Sequence, residues 1–566
     1  MANLRKLFTA LAEEKDYKFK SVYPRPQLKR NSFFTLDGEW DFGVSDDNEI
    51  FDSKINVPFC PESILSGVDE VYGDEKIRWY KRKFVLPDNF NIGRVLLNFG
   101  AVDQVCTVYI NGTEVGCHIG GYDAFSFDIT GYLREENVLK VKVIDKLDKH
   151  ILPYGKQCHK RKGMWYTPVS GIWQTVWCES VPKEYVKSLK IDVTLNSAII
   201  SVNGVKNGLV KVFDGDSEIV VPIVDGRAEV KISKPHNWSP EDPYLYPFKV
   251  ICGGDSVESY FALRTLSIGK VDGKNRLLLN GEPYFFHGLL DQGYFSDGIF
   301  TPAQMSEYTN DILRMKELGF NMLRKHIKVE PEFFYYECDR LGMVVFQDMV
   351  NNGKYSFIRD TMLPTIGLLR KNDKLCHTDK DTRGAFISLM EKTVNGLYNH
   401  PSVCQWTVFN EGWGQFCADE MYLKLKMLDS SRFIDSASGW FKAKNNDFDS
   451  RHIYFRKIRV KKSNKPIFIS EFGGYSYKLD EHSFNLDNTY GYGSFSDREK
   501  FVKALRNLYL NEVIPLIDKG VCATVYTQLS DVEDETNGLL TYDRKISKIL
   551  PEEFIDISEK LRKKLL

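Results

Sequence analysis

Hydrophobic and polar positions alternate in short runs over the first third of the chain. Residues 79–85, 95–99, 105–110 and 138–143 carry the period of two that puts one face of a strand in a core and the other in solvent. Turn dipeptides separate the runs: Asp37-Gly38, Asn111-Gly112 and Gly120-Gly121. Asn-Gly is a strong hairpin signal because both residues tolerate positive φ. Short strands without a helical period predict a β jelly-roll sandwich over residues 1–183. Within it, 156–163 is basic and reads as a loop, either plainly solvated or functional. The alternation resumes at 198–202 and 209–213, with turns at Asn203-Gly204, Asn207-Gly208 and Asp225-Gly226. This predicts a smaller, immunoglobulin-like sandwich over 184–267, into whose last strands Trp238 leads.

After residue 268 the period changes. Wholly apolar runs alternate with helical stripes, the pattern of a parallel sheet covered by helices. Strands are predicted at 284–288, 321–325, 343–347, 403–409, 433–437, 453–455, 466–470 and 521–528. Between the first two, Met305, Tyr308, Ile312, Met315 and Leu318 form one helical stripe. Thr301 is its expected N-cap, Pro302 its first turn and Gly319 its stop. Further helices are predicted at 332–341 and 383–398. Ser496-Asp497-Arg498-Glu499 reads as a capping box opening a helix towards Gly520. Eight strands in about 300 residues is the count of a (β/α)8 TIM barrel, expected over 268–566.

Charge and cysteine usage narrow the function classes. With 76 basic and 77 acidic residues the net charge is −1, so no whole-chain field draws nucleic acid or an anionic membrane. The eleven cysteines include no Cys-x-x-Cys pair, and Cys158-His159 and Cys376-His377 are adjacent rather than spaced as zinc ligands. Scattered thiols suit a reducing compartment. The first residues lack an apolar core long enough for a signal peptide, and no run of about 18 apolar residues occurs. A cytoplasmic protein without a membrane partner is the expectation.

Barrel active sites sit at the carboxyl ends of the strands. The strand at 403–409 delivers Asn410 and Glu411, followed by Gly412-Trp413-Gly414; the strand at 466–470 ends in Glu471, before Phe472-Gly473-Gly474. A lone glutamate at a strand end is ordinarily a surface residue. Two on one rim can face each other, which is what glycoside hydrolysis with retention needs. One carboxylate attacks the anomeric carbon and the other, about 5–5.5 Å away, serves as acid and then base. Metal-assisted hydrolysis would want matched His or Asp ligands, and no HExxH set is present.

These residues bring a family into view. The chain resembles glycoside hydrolase family 2, the group of β-galactosidases and β-glucuronidases, over essentially its whole length. The resemblance rests on Leu36-Asp37-Gly38-Glu39-Trp40-Asp41-Phe42, Gly171-Ile172-Trp173-Gln174, Leu279-Asn280-Gly281-Glu282-Pro283, Phe320-Asn321-Met322-Leu323-Arg324, Phe409-Asn410-Glu411 and Ser470-Glu471-Phe472-Gly473, in that order. It implies a sugar-binding jelly roll, an immunoglobulin-like domain and a retaining catalytic barrel. It also implies Glu411 as general acid/base, Glu471 as nucleophile, and Asn410 as the partner of the sugar 2-hydroxyl. Tyr454 would hydrogen-bond the nucleophile, and Arg324 would hold it ionised. His326 and His452 fall at the same rim, as substrate contacts or as structural histidines. Trp413, Trp440, Tyr526 and Gln528 fall near strand ends four, five and eight; sugar binding there competes with plain barrel packing.

Two departures bear on the substrate. Where family members carry Asn-x-His-Glu, this chain reads Leu289-Leu290-Asp291-Gln292-Gly293, so the outer-hydroxyl subsite is expected to be rebuilt around Asp291. Where β-glucuronidase-like members place Asn-x-Lys, Glu535-Thr536-Asn537 stands here, and an acid repels a uronate. The expectation is a retaining exo-β-glycosidase acting on a small oligosaccharide or glycoside, a β-D-galactoside first. Alternatives are a β-glucuronide, an arabinopyranoside, or a carbohydrate-binding protein without chemistry. No cofactor is required. A divalent cation assists some members, with no ligand set identified here, and a homo-oligomer is compatible with the sequence.

Overall fold

The alternation of the N-terminal third closes into two facing antiparallel sheets in the computed structural model, which describes residues 3–363 and 373–565. One sheet orders Ser53–Val57, Gly38–Ser45, Ile77–Phe84, Asn137–Ile144, Val105–Ile110 and Thr113–Ile119; the other orders Phe33–Thr35, Val176–Val181, Arg94–Phe99 and Phe125–Asp128. Trp40, Tyr80, Leu97, Val108 and Val141 fill the space between them, each at most 1% exposed. At the Asn111-Gly112 hairpin both residues take positive φ, 52° and 86°.

A three-stranded sheet (Ser188–Val193, Ser197–Asn203, Arg227–Lys231) and a four-stranded one (Ser217–Ile223, Gly208–Asp214, Tyr246–Cys252, Asp255–Phe261) form the immunoglobulin-like sandwich. One of its links to the barrel is Trp238, buried, whose indole N–H donates to the Asp339 carbonyl at 2.8 Å.

The barrel strands are β1 Phe286–Asp291, β2 Met322–Lys325, β3 Val344–Asp348, β4 Val403–Thr407, β5 Phe433–Asp435, β6 Asp449–Ile453, β7 Ile467–Gly473 and β8 Val521–Thr527. All paired neighbours are parallel, in the order β5-β4-β3-β2-β1-β8-β7-β6. Between β5 and β6 the closure is made by side chains, with Ser438 Oγ 3.3 Å from Ser450 Oγ. Alternation sorts the strand residues: Phe286, Leu290, Met322, Val344 and Phe346 fill the barrel, while Leu289, Leu323 and Val345 meet the surrounding helices. Those helices are α1 Ser306–Glu317, α2 Glu332–Leu341, α3 Lys380–Leu397, α4 Ala418–Leu428, α5 Arg498–Leu508 and α6 Ile555–Leu565.

Several predicted boundaries shift. β1 runs on past 288, which takes Asp291 into the strand. β6 precedes the predicted 453–455, and Glu471 lies inside β7 rather than beyond it. The stripe from Met305 to Leu318 is buried as expected, and Gly319 ends α1 at φ 88°. Thr301 caps nothing, because its hydroxyl donates to the Trp173 carbonyl in the jelly roll, five residues before α1 begins. The cap of α5 is Asp497, which accepts from the Lys500 amide at 2.9 Å, and not Ser496. That helix stops at Leu508; wider and tighter turns carry the chain to Gly520 around Pro515, which has no N–H to give.

The basic loop of the jelly roll is packed and not merely solvated. The Tyr154 and Gly155 amides donate to the Asn351 carbonyl at 3.1 and 3.2 Å, just past β3. A Cβ on Gly155 would lie 2.8 Å from the Ile327 carbonyl oxygen, so only glycine allows this approach. The Tyr166 hydroxyl donates to Glu535 at 3.0 Å, beyond β8. A sandwich loop therefore walls one side of the barrel mouth.

Candidate active site

Strand β2 presents Arg324 to the barrel axis, fully buried. Its guanidinium donates to three side-chain oxygens. Nε donates to Asp348 on β3 (2.9 Å), Nη1 to Glu471 on β7 (3.1 Å) and Nη2 to the Asn410 side-chain oxygen (2.9 Å). Burial opposes the charge, but Asp348 and Glu471 overcome it and raise the guanidinium's pKa. Because the Asn410 oxygen is taken by arginine, its amide N–H groups face the mouth as donors.

Glu471 is held from both sides. Beyond Arg324, the Tyr454 hydroxyl donates to Oε2 at 2.7 Å and lies 2.8 Å from Thr527 Oγ1. Burial pushes the Glu471 carboxyl up, but its neighbours His452, Arg324 and His326, with the Tyr454 bond, bring it below the usual glutamate range. It is thus kept as a carboxylate. Tyr454 is itself fixed by Tyr492, stacked at 4.0 Å and 20°. Burial, and then Glu471, raise the Tyr454 phenol well above its ordinary pKa, so it stays a donor.

Glu411 follows β4 in the left-handed region, φ 52°, its amide donating to the Ser438 carbonyl at 3.0 Å. Its side chain is 19% exposed against 7% for Glu471, so it reaches solvent protons more readily. One oxygen of each carboxylate and a ring nitrogen of His452 lie within 4.8 Å of one another. His452 Nδ1 is 2.7 Å from Glu411 and 3.5 Å from Glu471. The two glutamates therefore converge on one point at the mouth.

The other candidates divide. His326 is buried, and burial lowers its pKa; Nδ1 meets Asp348 at 2.7 Å, so it braces Arg324's partner from behind. Trp440 lies beside His452, ring centres 6.2 Å apart. Gln528 is buried and donates to Glu535 (2.7 Å) and the Asn537 side chain (2.8 Å). Trp413 is spent on packing: its indole donates to the Gly353 carbonyl, and its edge contacts Tyr154 and Trp165 of the jelly-roll loop.

Two assignments fail. Tyr526 is buried on the helix side of β8, accepting from the Tyr475 amide at 3.1 Å and filling the space beside Gly473. Asp291 also faces outward, bound to Lys325 at 2.6 Å. Parity is the reason in both cases. Leu290 and Val525 point into the barrel, so their neighbours Asp291 and Tyr526 cannot.

Asp348, Thr527 and Tyr492 were missed. Asp348 carried the signal used for Glu471, a carboxylate closing an apolar strand; Thr527 and Tyr492 carried none. Lys156 was passed over inside its basic loop. Its ammonium makes no hydrogen bond or ion pair among the described residues, yet its charge acts on Glu535 and His326 across the mouth. Burial raises the Glu535 carboxyl's pKa, and Lys156 and Tyr166 only partly offset this. As for cations, Asp74, Asp148 and His159 bring three donor atoms within 4.8 Å on the jelly roll. Glu411, His452 and Glu471 do the same but already bond through His452 itself.

Family models match three consecutive stretches: "Glycosyl hydrolases family 2, sugar binding domain" over residues 67–182, "Glycosyl hydrolases family 2" over 179–264, and "Glycosyl hydrolases family 2, TIM barrel domain" over 270–476. The chain belongs to glycoside hydrolase family 2. Among its relatives, a β-galactosidase of Thermoanaerobacter pseudethanolicus is 29% identical over 301 residues, 48% of this chain. A putative β-glucuronidase of Formosa agariphila is 25% identical over 363 residues, 59% of this chain. Each alignment spans only 39% of the relative's own length. A solved β-glucuronidase from an uncultured Clostridium sp. matches with TM-score 0.74 at 19% identity, covering 96% of this chain and all of that one, which shows the shared fold. Family 2 architecture thus accounts for the two sandwiches and the barrel. Among the described residues no helix is long and apolar enough to cross a membrane.

Proposed function

We propose that this family 2 protein is a retaining exo-β-glycosidase in which Glu471 is the nucleophile and Glu411 the acid/base. The observation that carries the reading is the convergence of the two carboxylates, one oxygen of each within 4.8 Å of the other, closer than the gap an inverting pair keeps for its water. Glu471, kept ionised by Arg324 and aimed by Tyr454, attacks the anomeric carbon while Glu411 gives its proton to the departing oxygen. Glu411, now a carboxylate, then takes a proton from water, whose oxygen displaces Glu471 from the sugar. The Asn410 amide donates to the 2-hydroxyl as positive charge builds on the ring, a contact that strengthens in the transition state. Sandwich loop 153–166 closes one side of the mouth, which favours cleavage at a chain end. A binding protein without chemistry would need neither a depressed carboxyl nor an exposed partner beside it.

For the sugar, a neutral β-D-galactoside is the first reading. It is supported by the β-galactosidase relative and by the buried Glu535 where a cation would be wanted for a uronate. A second reading, a β-uronide, is favoured by Lys156, whose ammonium makes no hydrogen bond or ion pair among the described residues and whose charge acts on Glu535 and His326. Nitrophenyl β-galactoside and β-glucuronide separate them. The first expects turnover of the galactoside, with little effect of Lys156→Met. The second expects turnover of the glucuronide and its selective loss in Lys156→Met. A 2-deoxy-2-fluoro glycosyl fluoride of the accepted sugar should label Glu471, and Glu471→Gln should lower kcat by on the order of 10⁴-fold. Label on another residue, or wild-type turnover in Glu471→Gln, defeats the assignment.

A further inference from the structure

His452 stands between the two carboxylates, and its own partners fix which nitrogen carries the proton. Nε2 lies 3.1 Å from Ser438 Oγ and 3.5 Å from Arg324 Nη1. A guanidinium is always a donor. An N–H on Nε2 would point at it, so Nε2 is the bare, accepting nitrogen and the Ser438 hydroxyl donates to it. The proton is therefore on Nδ1, 2.7 Å from Glu411 and 3.5 Å from Glu471. That nitrogen faces both reacting groups and nothing else that competes for it.

We infer that His452 is a positioning residue whose single Nδ1–H follows the negative charge from the nucleophile to the acid/base during the double displacement. The inference rests on the proposed glycosidase reading and deepens it. In the structure the N–H leans towards Glu411, at 2.7 Å, with the Glu471 carboxylate next nearest at 3.5 Å. As Glu471 forms its bond to the anomeric carbon, its charge disappears. As Glu411 hands its proton to the leaving oxygen, charge appears there, and the N–H is given wholly to Glu411. In the second half the shift reverses: Glu411 takes a proton from water while the carbon–Glu471 bond breaks and Glu471 regains its charge. The bond is made to the carboxylate of Glu411 and not to its protonated form, so His452 favours proton release and holds the base for the water step.

The other groups facing this pair are accounted for. Tyr490 and Tyr492, in the loop after β7, and Tyr454, beyond β6, lie near enough to Glu411 that its charge helps raise their phenol pKa values. Arg324 faces the imidazole from β2, and the buried Asp435 sits behind Ser438 and Ser450 on β5. No cation bonds Glu411 directly among the described residues, and there His452 is the one side-chain donor to its carboxyl.

The test compares two substrates of the accepted sugar: a phenyl glycoside, which needs the acid, and a dinitrophenyl glycoside, which does not. The N–H bond favours the charge left when the acid gives up its proton, so in His452→Ala, without that bond, the alkaline limb of kcat/KM should move up by about one pH unit. kcat/KM for the phenyl glycoside should fall about tenfold while that for the dinitrophenyl glycoside holds. His452→Asn, whose amide reaches the place of Nδ1–H, should restore both; His452→Gln, which reaches the place of Nε2, should not. Should His452→Ala fail to fold, the Asn and Gln variants give the same contrast. An equal fall on both substrates with an unmoved limb, or Asn behaving like Gln, overturns the proposal while leaving the glycosidase reading intact. A wild-type protein that cleaves no glycoside and takes no fluorosugar label removes both.

Discussion

Adjacent residues on β2 anchor two buried charge networks with opposite characters. Lys325 faces the helices and joins Asp291 (2.6 Å), Glu330 (2.8 Å) and, through Glu330, Lys328 (2.8 Å). Two cations meet two anions, and the Tyr308 hydroxyl caps Glu330. Arg324 faces the axis and meets Asp348 and Glu471, one cation for two carboxylates, with His326 neutral behind Asp348. The first network is balanced and closed. The second keeps a surplus negative charge and leaves it at the mouth. The same physical ingredients build a brace on one side of a strand and the seat of the proposed nucleophile on the other, and the difference is charge count and access rather than residue type.

The largest effect expected from breaking this contrast is in the neighbouring pair of substitutions. Arg324→Met should abolish measurable turnover, since it frees Asn410 and leaves Glu471 and Asp348 unneutralised. Lys325→Met should leave kcat of the folded fraction near wild type while lowering stability by about 3–5 kcal/mol, the usual consequence of orphaning a buried ion. Chemical denaturation beside single-turnover kinetics reads both, and loss of turnover in folded Lys325→Met would erase the distinction.

Next in size is Tyr454→Phe, which removes a charge-assisted bond to Glu471, the proposed nucleophile. kcat should fall roughly 10- to 100-fold with the fold unchanged. A circular-dichroism melt alongside the rate measurement would tell a local effect from a structural one.

The pH dependence sharpens the comparison further. Glu471 is lowered in the folded state, so its contribution to stability is present above the unfolded glutamate value and is lost as pH falls through the lower, folded one. The acid limb of kcat/KM should accordingly lie below the ordinary glutamate range. Asp348→Asn, which removes a competing anion from Arg324, should move it lower still; an upward shift would contradict the shared-guanidinium picture.

The smallest effect is expected at Tyr526. Tyr526→Phe loses one bond to the Tyr475 amide, worth about 1 kcal/mol, and should leave kcat/KM unchanged. A change in substrate selectivity there would return Tyr526 to the sugar pocket.

Much of this was legible in the residues. The period of two in the N-terminal third, the switch to alternating strands and helices after 268, and two glutamates closing apolar strands were enough for the architecture and for the two carboxylates that meet at the mouth. Parity within a strand was legible too, and applied strictly it would have turned Asp291 and Tyr526 outward once Leu290 and Val525 were placed inside. The helix starts failed where tertiary contacts took the capping group away: Thr301 was claimed by the Trp173 carbonyl before it could cap α1.

What the sequence determined by itself, then, is local and periodic: which segments are strands, which face is apolar, and which chemical groups stand at strand ends. Only the tertiary structure decided which of those groups meet. Asn410 lies 86 positions from Arg324, and Glu471 lies 147 from it, yet one guanidinium binds both. Tyr166 reaches Glu535 across 369 positions. No periodicity encodes such partners, because hydrogen-bond geometry and charge balance depend on distances that exist only once the barrel has closed and the jelly-roll loop has settled on its mouth.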